Sequence, residues 1–123
     1  MRAITLQPGR KDSADLEDVP EPGEDQGALL VDGVALGICG TDAEIVRGDY
    51  GEAPPDSERL ILGHESLGRV AEAPEDCGFE RGDLVVGIVR RPDPEPCRSC
   101  AAGEWDFCRN GNYTERGIKA LHG

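Results

Sequence analysis

The stretch "LGICGTDAEIVRG", Leu36 to Gly48, decides how this chain reads. Glycines at 37 and 40 let the backbone turn sharply around Cys39, and a short helical run follows. Thr41 as N-cap with Glu44 three residues on predicts a capping box, and Gly48 is placed to end the helix. A thiol just ahead of a helix N-terminus feels the positive end of the dipole and nearby N–H groups, which favour thiolate, the form that binds metal. Taken alone, a free cysteine packs as a small hydrophobe. The rest of the chain has to supply a reason for Cys39.

The 123 residues make one domain's worth of chain, with a modest core. The net charge of −12 would repel phosphate backbones and anionic membrane surfaces, so nucleic acid and membrane partners are not expected. No apolar run approaches the roughly 20 residues that span a bilayer, and "MRAITLQPGRKD" lacks a signal peptide's apolar segment. The expected location is cytoplasmic. In that reducing compartment five cysteines, an odd number, do not suggest a disulfide framework, and metal binding comes forward.

Seventeen glycines and nine prolines cut the chain into short pieces, which suits a mainly β fold with long functional loops. "RAITL", "GALLVDGVALGI", "SLGRVAEA" and "DLVVGIV" are the expected strands, the second apolar enough to be well buried. The acidic segment Asp12 to Gln26 is expected to be a solvated connection between the first two strands.

"LILGHESLG" places His64 and Glu65 after a glycine and just before a strand. A histidine there is often only a hydrogen-bonded structural residue. With a carboxylate beside it and Cys39 earlier in the chain, it completes the mixed sulfur, nitrogen and oxygen donor set of a catalytic zinc site with an open position.

"RRPDPEPCRSCAAGEWDFC" holds Cys97, Cys100 and Cys108, a Cys-x-x-Cys followed by a third cysteine after seven residues. Such spacing lets one loop, at about residues 90–112, wrap a tetrahedral structural ion, and a metal-free lobe is the alternative. Three cysteines leave one ligand to find. Asp93 could supply an oxygen, Glu95 and Glu104 are less well placed, and Cys77 is a distant candidate. Bound zinc in small peptides is worth roughly 10 to 16 kcal/mol, so the ion would order the lobe.

"GICGTD", "LGHE", "RGDLVVG" and the cysteine lobe, in this order and at these intervals, resemble the N-terminal GroES-like catalytic domain of zinc-dependent medium-chain alcohol dehydrogenases. The resemblance covers nearly the whole chain. "VRRPDP", "DFCRNG" and "YTERGIKALHG" look most like the glucose 1-dehydrogenase branch. It implies a partly open β-barrel with short helices and a metal-binding lobe. It also implies zinc-dependent, NAD- or NADP-linked oxidation of an alcohol or sugar hydroxyl by a homo-oligomeric enzyme.

Carried over by position, the resemblance makes Cys39 and His64 ligands of the catalytic zinc. Glu65 becomes a third ligand and catalytic carboxylate, and Thr41 the hydroxyl that touches the substrate and starts the proton relay. Glu115 matches a carboxylate that reaches a sugar hydroxyl. Asp42 steadies the loop or helix start. Cys97, Cys100 and Cys108 match three of four structural-zinc cysteines. The fourth falls at Pro94, or at Asp93 if the loop is shifted by one residue. Val89 stands where some sugar dehydrogenases carry a polar residue.

No Gly-x-Gly-x-x-Gly lies between a strand and a helix, and "GNYTERG" reads as a loop, so the dinucleotide-binding domain is expected outside this chain. By itself the domain is expected to bind zinc without turnover. Among the remaining residues, Arg90 and Arg91 read as surface guanidiniums. Trp105 and Phe107 read as anchors of the lobe, His122 as a strand or surface residue, and Cys77 as an unligated thiol. The competing function is a non-enzymatic zinc-binding interaction module. A small redox protein fits less well, because this Cys-x-x-Cys follows prolines in a loop rather than opening a helix after a strand.

Overall fold

The computed structural model describes residues 1–23 and 27–123. The described residues form nine short strands and two short helices. They run β1 (Arg2–Leu6), β2 (Asp15–Asp18), β3 (Leu30–Gly37), α1 (Gly40–Arg47), β4 (Leu60–Ile61), β5 (Glu65–Glu72), β6 (Leu84–Val86), β7 (Arg90–Arg91), α2 (Arg98–Ala101), β8 (Thr114–Arg116) and β9 (Ala120–Leu121). A 3-10 turn, Trp105–Phe107, follows α2. Among the described residues no helix is long and apolar enough to cross a membrane.

The strands make three three-stranded sheets, β2-β1-β4, β3-β5-β6 and β7-β8-β9. All pairs are antiparallel except β8 with β9. The architecture is mainly β, and the sheets stay open rather than closing into a barrel. Residues of all three sheets line a cleft of about 2570 Å³.

All four expected strands form, although the fourth stops at Val86 before Gly87. Two differences follow from edges and faces. β3 was expected to be buried, but its apolar residues are exposed, with Val34 at 55% and Leu36 at 51%. An apolar run records that a strand can be buried; whether a neighbour covers it is a tertiary matter. The acidic connection holds a strand, β2, paired to β1 in the register Arg2↔Asp18 to Thr5↔Asp15. Its charged side chains sit on an exposed edge, where charge blunts further pairing. The end of that segment, residues 24–26, lies outside the described residues.

"GNYTERG" is also corrected, since Thr114–Arg116 is the middle strand of the third sheet. Strands of two or three residues leave too short an alternation to read.

The core is small. Leu6, Ile45, Leu60 and Ile118 are buried together, with Leu62 and Val89 against them. It ties β1, α1, β4 and the β8–β9 turn into one unit. Arg59 adds a polar clamp, its Nε donating to Thr5 Oγ1 at 2.8 Å and its Nη2 to the Ser13 carbonyl at 3.1 Å.

Candidate metal centres and substrate site

α1 begins at Gly40 with Cys39 as the N-cap, two residues earlier than the sequence suggested. The expected Thr41–Glu44 box is replaced by one between Cys39 and Asp42, whose Oδ2 accepts the Cys39 N–H at 2.8 Å. The shift has a simple origin. A buried carboxylate three residues on satisfies the first free N–H of the helix, so the turn starts where Asp42 can reach. Asp42 thereby steadies the helix start, as expected. At the other end Gly48 takes a left-handed φ of 81°, with its N–H on the Ile45 carbonyl and the Asp49 N–H on that of Glu44.

β3 delivers Cys39 and β5 begins with Glu65, and Gly37 and Glu65 are register partners on these strands. A Cβ at position 37 would collide with the Glu65 side chain, so glycine is required for that carboxylate to lie against the site. Cys39 Sγ and His64 Nε2 are 3.2 Å apart, and the ligand atoms of Cys39, His64 and Glu65 all lie within 4.8 Å of one another. His64 is buried and Glu65 exposed, so the set is open on its carboxylate side. His64 Nδ1 is buried without a hydrogen bond and stands 3.5 Å from Asp42 Oδ1. A carboxylate there favours the proton on Nδ1 and leaves Nε2 as a lone-pair donor facing the cysteine. Thr41 sits half-buried in the first turn of α1.

The second centre is the cysteine lobe. Cys97 caps α2, Cys100 lies inside it and Cys108 follows the 3-10 turn. Their sulfurs lie within 4.8 Å of one another, and Cys97 and Cys100 Sγ are 3.7 Å apart. Two sulfurs on one tetrahedral zinc stand about 3.8 Å apart. Backbone N–H groups of Arg109 and then Cys100 point at Cys97 Sγ and pull its pKa down to about 6. Burial, and then the neighbouring sulfurs of Cys108 and Cys97, push that of Cys100 up.

Asp93 is buried at 3%, and its backbone N–H approaches Cys100 Sγ. Its Oδ1 accepts the Glu95 N–H at 2.8 Å, while Oδ2 is buried without a partner. It is not in the tight sulfur group, although its unpaired buried Oδ2 leaves one oxygen donor on the residue whose N–H approaches Cys100. Both donor sets fit zinc: soft sulfur with one imidazole and one carboxylate in the first, three sulfurs with a nearby carboxylate in the second. Among the described residues Cys77 joins neither set, its Sγ lying 3.6 Å from the Phe79 carbonyl. Glu95 and Glu104 are exposed.

Two expectations about side chains are corrected. Phe107 does not anchor the lobe, being 70% exposed, whereas Trp105 is half-buried. Arg90 is no free surface guanidinium: its Nη2 lies 2.7 Å from Glu115 Oε1, and its guanidinium carbon 4.2 Å from the centroid of the Tyr113 ring. Glu115 itself is buried in the middle strand of the third sheet. His122, half-buried after β9, accepts the Ile61 N–H on Nδ1. Asp42 as the partner of His64 and Arg90 as the partner of Glu115 were not legible in the sequence, because neither pairing has a local signature.

The sequence profile of the alcohol dehydrogenase GroES-like domain matches residues 25–122. A glucose 1-dehydrogenase from Methanocella arvoryzae is 48% identical over 124 residues, covering all of this chain and 34% of that protein. One from Thermoproteus tenax is 45% identical over the same coverage. Among solved structures, Haloferax mediterranei glucose dehydrogenase in complex with NADP, Zn and gluconolactone aligns with a TM-score of 0.83 at 36% identity, over the whole chain and 34% of that structure. The alcohol dehydrogenase of Aeropyrum pernix aligns with a TM-score of 0.73 at 29% identity, over the whole chain and 35% of that structure. The chain thus spans about a third of the length of the relatives it matches.

Proposed function

The chain belongs to the alcohol dehydrogenase GroES-like domain family, and from that premise we propose that it forms the metal- and substrate-binding domain of a zinc-dependent, NAD(P)-linked glucose 1-dehydrogenase. The observation that carries this reading is the convergence of Cys39 Sγ, His64 Nε2 and a Glu65 carboxylate oxygen within 4.8 Å, with an open side. The glucose 1-dehydrogenase relatives at 48% and 45% identity support the sugar over a simple alcohol.

In this reading Cys39, His64 and Glu65 hold the catalytic zinc, and Cys97, Cys100 and Cys108, with Asp93, hold a structural one. Bound zinc supplies Lewis acidity that lowers the pKa of an alcohol, and bound NAD(P) supplies the hydride acceptor. The chain's own residues do the rest. Asp42 fixes the His64 ring and the turn that carries Cys39. Thr41, on the first turn beside Cys39, takes the hydroxyl proton and passes it outward. Glu115 accepts a hydrogen bond from a sugar hydroxyl away from the reacting carbon. The nicotinamide-binding domain lies elsewhere in the protein, which works as a homo-oligomer on a small soluble substrate.

Zinc stoichiometry by elemental analysis tests this on the chain itself. Two ions per chain, falling to one in Cys39→Ser, are expected. One ion unaffected by Cys39→Ser would sink the dehydrogenase reading in favour of a non-enzymatic zinc module built on the cysteine lobe.

A further inference from the structure

Arg90 and Glu115 face each other directly across β7 and β8, so their side chains leave the sheet on the same side. Arg90 Nε donates to Glu115 Oε1 at 3.0 Å and Nη2 donates to the same oxygen at 2.7 Å. Both donors of the fork therefore fall on one oxygen of the carboxylate. The other oxygen, Oε2, takes no hydrogen bond among the described residues, and it is not among the buried atoms left without a partner. Glu115 is 7% exposed, so this buried side chain has one anchored oxygen and one that reaches solvent.

The anchor is itself held. Arg90 Nη1 donates to the Asp106 carbonyl at 3.1 Å and lies 3.6 Å from Asp106 Oδ1, in the turn between Cys100 and Cys108. The Tyr113 ring supports the guanidinium from below at 4.2 Å. With three restraints on the arginine, the carboxylate has little freedom to turn.

Burial first, and then the Glu115 charge, raise the pKa of the Tyr50 phenol, and Glu44 of α1 acts on the same phenol. Tyr50, three residues past α1, therefore remains a neutral phenol. A structural ion pair would tend to use both carboxylate oxygens, as a bidentate fork does. Here one is withheld.

We propose that Arg90 is a positioning residue for substrate: it pins Glu115 through Oε1 so that Oε2 is presented as a fixed acceptor for a hydroxyl of a neutral polyhydroxy compound. This rests on the dehydrogenase reading above, in which Glu115 contacts the sugar. A carboxylate acceptor within a chain of net charge −12 selects against anionic substrates, so a neutral sugar rather than a sugar phosphate is the fitting ligand.

The test uses the dehydrogenase that carries this sequence, with D-glucose as the probe, and compares Glu115→Gln, Arg90→Lys, Arg90→Met and the double variant Arg90→Met/Glu115→Gln. A hydrogen bond away from the reacting carbon is felt equally in the ground and transition states, so KM moves and kcat does not. Glu115→Gln and Arg90→Met should each raise KM, and the Kd measured by calorimetry, about tenfold with kcat within about twofold, in the range for a charged hydrogen bond. Arg90→Lys should recover part of the loss, and the double variant should be no worse than Glu115→Gln alone. Wild-type KM and Kd in Glu115→Gln would overturn the sugar-contact reading, and this inference with it. A raised KM in Glu115→Gln with wild-type values in a folded, zinc-loaded Arg90→Met would overturn the positioning role alone. If Arg90→Met does not fold, Arg90→Lys decides, because wild-type KM and Kd in that variant overturn the role equally.

Discussion

The Asp42 carboxylate spans the two sides of the Cys39–His64–Glu65 cluster: Oδ2 accepts the Cys39 N–H at 2.8 Å and Oδ1 stands 3.5 Å from His64 Nδ1. One side chain thus sets both the turn that carries the sulfur and the ring that carries the nitrogen. Asp42→Ala should lower zinc affinity at this centre by about 10- to 100-fold, the usual effect of losing a ligand's outer partner. Competition against a chromophoric chelator measures it. Affinity equal to wild type would show that Asp42 is only a helix cap. The cysteine lobe, on separate elements, should keep its ion.

The lobe predicts an order of reactivity. In metal-free protein Cys97 is thiolate above about pH 6, held there by the Arg109 N–H first, whereas burial keeps Cys100 protonated well beyond neutrality. Iodoacetamide at pH 7 should therefore label Cys97 before Cys100, as read by mass spectrometry of the peptide. Zinc should suppress both. Equal labelling rates would mean that the N–H groups around Cys97 are not aimed as described.

Gly117 packs against the loop that carries His64. Its φ is 66°, and a Cβ there would collide with the Gly63 carbonyl. Gly117→Ala combines a backbone penalty with a backbone clash and should cost more than about 2 kcal/mol, with loss of zinc from the Cys39 centre. Gly103 is a control, since its φ of 82° carries the same penalty but nothing lies within 4 Å of the added atom. Gly103→Ala should cost only about 1 kcal/mol. Thermal melts with metal analysis compare the two.

His122 links the end of β9 to β4, accepting the Ile61 N–H on Nδ1, and burial lowers its pKa from 6.5. The unfolded chain then takes up a proton near pH 6.5 that the folded chain refuses. Stability from this group is full above 6.5 and is lost as the pH falls through the lower folded value. His122→Asn, whose side-chain oxygen can accept the same bond without titrating, should flatten that part of the curve. Urea melts at pH 7.5, 6.0 and 5.0 provide the comparison, and parallel curves for the two proteins would count against it.

Much of the fold was legible because strands such as Arg2–Leu6 and Glu65–Glu72 have a local period and local stops. The two-residue strands Leu60–Ile61 and Arg90–Arg91 were not, since two residues carry no period. The N-cap was misplaced by two residues, because Thr41 and Asp42 compete for the helix start and the choice depends on which side chain the rest of the fold buries.

The sequence by itself determined the chemistry available: thiols at 39, 97, 100 and 108, an imidazole at 64, carboxylates at 65, 93 and 115, and the glycines that let them turn inward. Donor type and short-range spacing are written in the order of residues, which is why the cysteine lobe and the family resemblance could be read there. Only the tertiary structure decided that Cys39 meets His64, that Arg90 takes one oxygen of Glu115 and leaves the other, and that the apolar β3 faces an open cleft. Those are pairings between strands and loops far apart in the chain, and they depend on which surfaces the sheets cover. No local pattern of side chains encodes that.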